Sequence, residues 1–137
     1  MSAGDGIVFN AWPHAGHYPH WSLPALEAAK CLARQSLPAF ERVHLRLYEA
    51  FFTRSRNIAD PGEVVKIVAE ADIDTERFVA DYRAGVGRDE VIKDYKAAME
   101  EGVRAIPTVI FPATGQALVG LADLAQYRAA AEEAARC

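Results

Sequence analysis

The run Gly102 to Gly120, GVRAIPTVIFPATGQALVG, constrains this chain more than any other stretch. A helix is predicted to stop at Gly102, where a residue without a Cβ accepts the left-handed conformation that ends helices. Four residues on, Ile106-Pro107 opens a strand over Thr108 to Phe111, whose apolar and β-branched run suits a buried position. Pro107 is the first residue of that strand, one of the few places where a sheet tolerates proline. Pro112 to Gln116 reads as a turn and Ala117 to Val119 as a second short strand, so the stretch is a β-hairpin. X-Pro bonds adopt cis more cheaply than any others, yet cis frequencies alone favour trans here.

Upstream of the hairpin the signals are mostly helical. Ile7 to Trp12 reads as a strand ended by Pro13, and the loop HAGHYPHW follows, with His14, His17 and His20 spaced by three. Three imidazoles are candidate zinc ligands, although no cysteine or carboxylate within the stretch completes a site. Ser22 and Ser36 each precede Leu-Pro-Ala and are placed to cap helices over Leu23 to Arg34 and Pro38 to Ser55. The second carries Phe40, Val43, His44, Leu47, Tyr48, Phe51 and Phe52 at helical spacing, with His44 read as a packed histidine. Asp60-Pro61-Gly62-Glu63 reads as a capping box for a third helix, and Asp74 as the cap of a fourth that Gly85 closes. A fifth runs from Asp89 to Glu101, and an alanine-rich helix over Asp123 to Arg136 ends the chain. The order is strand, five helices, two strands, helix.

Composition excludes several classes. A chain of 137 residues that is 51% hydrophobic fits one domain with a real core. The net charge of -4, with basic residues scattered, argues against a nucleic-acid partner. No apolar run is long enough to cross a bilayer, and MSAGDGIVF lacks the basic region and apolar core of a secretory signal, so no membrane partner and a cytoplasmic location are expected. The two cysteines, Cys31 within a helix and Cys137 at the end, form no C-x-x-C, and Cys31 reads as a small buried hydrophobe.

Taken together, PALEAAKCLARQ, AFFTRSRNIADPGEVVKIVAEADID, the run from DYRAGVGRDE to AIPTVIF, and LVGLADLAQYRAA resemble the DsbA-like branch of the thioredoxin fold. Within it they resemble the group of FrnE-type proteins and 2-hydroxychromene-2-carboxylate isomerases. The resemblance implies an α/β, incomplete thioredoxin-like fold that is mostly helical: one DsbA-like domain with a strand at 7–12, a helical insertion at 22–101 and a β-β-α unit at 103–136. It implies that Ile106-Pro107 is cis and faces the active site, that Ile106 and Pro107, flanked by Arg104 and Thr108, bind an extended peptide, and that the partner is a peptide or protein thiol. It also implies that the family's first strand and its C-x-x-C helix would lie before residue 1. The missing strand would sit between Ile7 to Trp12 and Thr108 to Phe111, which leads us to expect homo-oligomers through exposed sheet edges.

By this reading the chain has no catalytic residue of its own, and any activity would be that of a protein-disulfide oxidoreductase whose cysteines come from elsewhere. Two alternatives stay open: a non-catalytic dimerising or peptide-binding module, and a glutathione-dependent isomerase of the chromene carboxylate type. No cofactor is called for, except glutathione in the isomerase alternative and zinc if the three histidines converge.

Overall fold

The computed structural model describes residues 8–13 and 15–137. The chain forms two compact units, Met1–Asp94 and Tyr95–Cys137. Elements are α1 (Leu23–Gln35), α2 (Leu37–Phe52), α3 (Pro61–Ala69), α4 (Thr75–Arg83), α5 (Val86–Glu100), β1 (Thr108–Phe111), β2 (Gln116–Val119) and α6 (Leu124–Ala134), with a 3-10 turn at Ala15–His17 ahead of them. The architecture is mostly helical, with a small antiparallel sheet near the end of the chain, as the periodicity predicts.

In the first unit α1 is the element on which α2, α3 and α4 pack. Its inner face contributes Ala28, Cys31 and Leu32, which join Val43, Leu47, Val64, Ile67, Val68, Phe78 and Tyr82 in one apolar core. Local chemistry sets most of the helix starts. Ser36 Oγ accepts the Ala39 amide at 3.1 Å and Asp74 Oδ1 accepts that of Arg77 at 3.0 Å, each satisfying one orphan donor of a first turn. Two capping assignments change. The Ser22 side chain makes no cap bond, and the start of α1 rests on Pro24 and on the Leu26 amide bonding Ser22 C=O. Asp60 caps α3 through the Glu63 amide, but the Glu63 carboxylate does not reach back to complete a box. It accepts from Arg56 Nε at 2.6 Å and from Lys66 Nζ at 3.2 Å, stronger charged partners than a backbone amide.

The expected strand at 7–12 is not formed among the described residues, Ile7 lying outside them. Val8 to Trp12 run past the end of α2 instead: the Asn10 amide donates to Phe52 C=O at 2.8 Å, Asn10 Nδ2 to Thr53 C=O at 2.7 Å, and Thr53 Oγ1 to Val8 C=O at 2.6 Å. The segment thus occupies carbonyls that a helix end leaves without intrahelical donors. Phe9 packs on Phe52 and Trp12 on Phe51, adding ring contacts to those bonds.

Gly87 explains why α5 begins at Val86, three residues earlier than the pattern of apolar positions suggests. A Cβ there would lie 2.2 Å from Glu27 C=O and 3.0 Å from Cys31 Sγ, so only glycine lets the first turn of α5 press against α1. Arg88 beside it donates to the Glu27 carboxylate from Nε at 2.7 Å and Nη2 at 3.3 Å, pairing a side chain that is otherwise buried. Arg34–Glu90 and Lys30–Asp94 pairs continue along the same two helices. Tyr82 closes the core below them, its hydroxyl donating to Pro24 C=O at 3.1 Å, and burial pushes its phenol up to about 12.

In the second unit α5 ends in a Schellman motif. Gly102 has φ +77°, its amide bonds Met99 C=O at 3.1 Å, and the Val103 amide bonds Ala98 C=O at 2.9 Å. β1 and β2 pair antiparallel with Thr108 opposite Val119 and Phe111 opposite Gln116. At the turn, Phe111 C=O accepts the Gly115 amide at 2.9 Å, with Gly115 at φ +70°. Asp123 and Gln126 form a full capping box at the start of α6, which packs against β1.

Gly87→Ala is expected to destabilise the protein by about 2–3 kcal/mol, the usual cost of overpacking a tight core contact, measured by urea unfolding. The Arg56 network makes a pH prediction. Hydrogen bonding to Arg56 holds the Glu63 carboxyl below its ordinary value. Its contribution is therefore complete above the ordinary carboxyl range and is lost as pH falls through the lowered folded value. Arg56→Gln should cost about 1 kcal/mol at neutral pH, and the difference from wild type should shrink on acidification through that range.

Candidate functional site

The loop from Gly102 to Pro107 is held at both ends and open in the middle. The Schellman motif fixes its entry. At its exit the Gly120 amide donates to Pro107 C=O at 2.8 Å, extending the β1–β2 ladder by one residue pair. Between these points Thr108 Oγ1 donates to Ala105 C=O at 2.6 Å, fastening the loop to the first residue of β1. The Ile106–Pro107 peptide bond is cis.

The four residues that the sequence singles out as peptide-binding take different roles. Ile106 is 90% exposed, and within this unit no described residue bonds its backbone amide or carbonyl. Pro107 offers a carbonyl already engaged by Gly120. Thr108 spends its hydroxyl on Ala105. Arg104 folds back over the end of α5: its Nη1 donates to the carbonyls of Met99 and Val103, each at 3.2 Å, with Met99 Sδ at 3.5 Å. A cation on the terminal carbonyls of a helix is favourable for the same reason that helix C-termini attract positive charge. Arg104 thus orders the loop while its side chain also lines a shallow groove of about 150 Å³, floored by Thr108, Ile110, Ala117 and Val119.

One neighbour is absent from the sequence reading. Leu121 follows Gly120, whose amide bonds Pro107 C=O, and Leu121 is 99% exposed. With Val119 also exposed, the loop is flanked by apolar side chains and carries no charge of its own beyond Arg104. The signal for it was the Val119-Gly120-Leu121 run directly after β2, which resembles an ordinary strand exit.

Neither cysteine sits where thiolate chemistry is favoured. Cys31 is fully buried in the interior of α1, and burial pushes its thiol up, against an opposing pull from the Gly87 amide. Cys137 is exposed at the other end of the chain, its Sγ donating weakly to Glu133 C=O at 3.6 Å. Cys31 lies in the interior of α1 and not at a helix N-terminus, the position that lowers a thiol pKa. Of the three histidines proposed as ligands, His14 lies outside the described residues, His17 ends the 3-10 turn, and His20 is exposed. Among the described residues no group of three potential ligands gathers. His44 is packed between rings, stacked on Phe40 at 5.0 Å and edge-on to Tyr48 at 4.9 Å. Among the described residues no helix is long and apolar enough to cross a membrane.

Comparison with known proteins agrees with this geometry. The DSBA-like thioredoxin domain matches residues 11–132, from ahead of α1 into α6. The thiol:disulfide interchange protein DsbA of Pseudomonas aeruginosa, in strains PAO1 and UCBPP-PA14, is 27% identical over 79 residues. That stretch is 58% of this chain and 37% of the relative, so the chain spans little more than a third of the curated proteins it matches. No solved structure matches it. A family match over nearly all of the chain, on a helical unit followed by a β-β-α unit, establishes that this chain belongs to the DSBA-like thioredoxin domain family.

Proposed function

We propose that this chain is the peptide-binding part of a DsbA-like thiol-disulfide oxidoreductase of the FrnE-type branch. The observation that carries the reading is the Ile106 position: an apolar side chain and a backbone amide and carbonyl left open by a loop that is otherwise fastened on both sides. An extended peptide laid along that backbone gains main-chain hydrogen bonds, and its apolar side chains gain contacts with Ile106 and Leu121. Arg104 and Thr108 act by holding the loop in shape. The location proposed is the cytoplasm, and the ligand is a peptide or protein bearing a thiol.

Redox chemistry in this reading uses cysteines other than Cys31 and Cys137. The burial of Cys31 favours, as a second reading, a binding module without chemistry of its own. The two separate on one question, whether a C-x-x-C segment works with this chain.

The chain alone is expected to show no thiol-disulfide exchange above the uncatalysed rate, with Cys31→Ala and Cys137→Ser leaving that result unchanged. In the same protein, a capped octapeptide with one reduced cysteine among apolar residues should shift the amide resonances of Ile106 and Thr108. Ile106→Asp should weaken that binding about tenfold, roughly 1.4 kcal/mol. Catalytic exchange by the wild-type chain, or peptide shifts confined to residues of α1 to α4, would refute the proposal.

A further inference from the structure

Met99 and Cys137 are the sulfur-bearing residues of the second unit, and they differ in what they touch. Cys137 ends the chain, with its Sγ on Glu133 C=O. Met99 stands in the last turn of α5, 37% exposed, and its Sδ lies 3.5 Å from Arg104 Nη1. That nitrogen is the one that donates to Met99 C=O and Val103 C=O. No carboxylate among the described residues pairs with the guanidinium, so the two carbonyls and the sulfur are its partners there.

Acceptor strength sets the balance among the three. A terminal guanidinium nitrogen carries two hydrogens, and a thioether sulfur is a weak acceptor. The carbonyls therefore hold the nitrogen, and the sulfur rests beside it. The bond to Val103 C=O is the one that keeps Arg104 folded over the start of the loop, since Met99 C=O already belongs to the helix end through the Gly102 amide at 3.1 Å.

From this contact we infer that Met99 is an oxidation site, open to hydrogen peroxide or an alkyl hydroperoxide, whose state sets the order of the Gly102–Pro107 loop. In the oxidation a sulfur lone pair attacks the peroxide. A sulfur–oxygen bond forms, the O–O bond breaks, and the departing oxygen leaves as water or an alcohol after taking the proton of the transferred hydroxyl. Sulfur loses two electrons and the peroxide gains them. The product sulfoxide is polar where the thioether was apolar. Its oxygen is a strong acceptor carried on the atom already beside the guanidinium. Nη1 then faces three strong acceptors with two hydrogens. The sulfoxide and Met99 C=O belong to one residue, so a guanidinium that turns to both leaves Val103 C=O, and the loop beyond it loses its tie. A thiol reductant reverses the change: two thiols become a disulfide, and the oxygen leaves as water.

The change in the loop stands on Met99 and Arg104 alone. Its consequence for a ligand rests on the peptide-binding reading, because a peptide must then order the loop it binds.

The test uses the intact chain with Cys137→Ser, treated with hydrogen peroxide and followed by peptide mapping and amide spectra. One added oxygen is expected on the fragment containing Met99, with Met1 mapped separately. In step with it the amides of Arg104, Ala105 and Ile106 should shift and lose protection from exchange, while those of α1 to α4 hold. Methionine sulfoxide reductase with a dithiol should restore them. Met99→Leu, close in volume, should give the untreated spectrum and no response of these amides to peroxide. Arg104→Gln should show the loosened loop from the start, and oxidation of its Met99 should add no further shift at Ala105 and Ile106. After the peroxide is removed, the oxidised chain should bind the octapeptide about threefold more weakly, the cost of ordering a loop on binding. Sulfoxide at Met99 with unchanged loop amides overturns the inference. So does a Met99 that stays reduced while free methionine in the same solution is consumed, or a shift as large in Arg104→Gln as in the parent. Loop amides that respond while peptide affinity holds uphold the inference and count against the peptide-binding reading.

Discussion

The helical unit depends on a close approach between Gly87 and the backbone of Glu27, where an added Cβ would lie 2.2 Å from the carbonyl oxygen. α1 is the central element, touched by α2, α3 and α4. The start of α5 reaches it only because residue 87 has no side chain. That contact buries the Glu27 carboxylate, which would be a liability without a partner, and Arg88 in the next position supplies one. A buried charge is tolerated when it is paired and hydrogen-bonded. The glycine and the arginine are therefore a single device: one permits the approach and the other satisfies what the approach covers. Cys31, one turn further along α1, is buried beside the same contact.

The second unit solves a different problem. Its two strands are too few to bury themselves, and a two-stranded sheet in water needs another layer to be stable. α6 supplies one, docked on β1 and started by a full capping box. The apolar side chains left exposed include Tyr95, Ile106, Val119, Leu121 and Leu124.

Much of this was legible from residues alone because it is set by local chemistry. Ser36, Asp74 and Gly102 each act within one turn of their own position, and so a sequence pattern reveals them. The hairpin was legible because proline and glycine punctuate a β-branched run. The failures share a cause, which is a partner that the local pattern does not name. Val8 to Trp12 has the composition of a strand, but the unsatisfied carbonyls at the end of α2 claim its hydrogen bonds. Glu63 sits where a capping box needs it, but Arg56 is the better partner. Arg104 was legible as a flank of the loop, whereas its guanidinium is taken by helix carbonyls that lie only a few residues behind it. Gly87 fell outside the fifth helix as read from Asp89, since nothing in the sequence reports that Glu27 comes within reach of it.

Family membership constrains the chemistry less than it constrains the fold. A thioredoxin-type thiol is reactive because a helix N-terminus stabilises its anion, a property of position and not of the residue. Cys31 occupies an interior turn of α1, where the dipole offers little, and burial disfavours the thiolate further. Moving a cysteine from a helix start to a helix interior thus reverses the sign of its environment without changing the fold around it. The parts of the family's function that do not need a thiolate, an open loop ahead of β1 and an apolar rim, require only backbone geometry and exposure. Those parts do not depend on where a cysteine sits, so the proposed role of the loop ahead of β1 stands apart from the burial of Cys31.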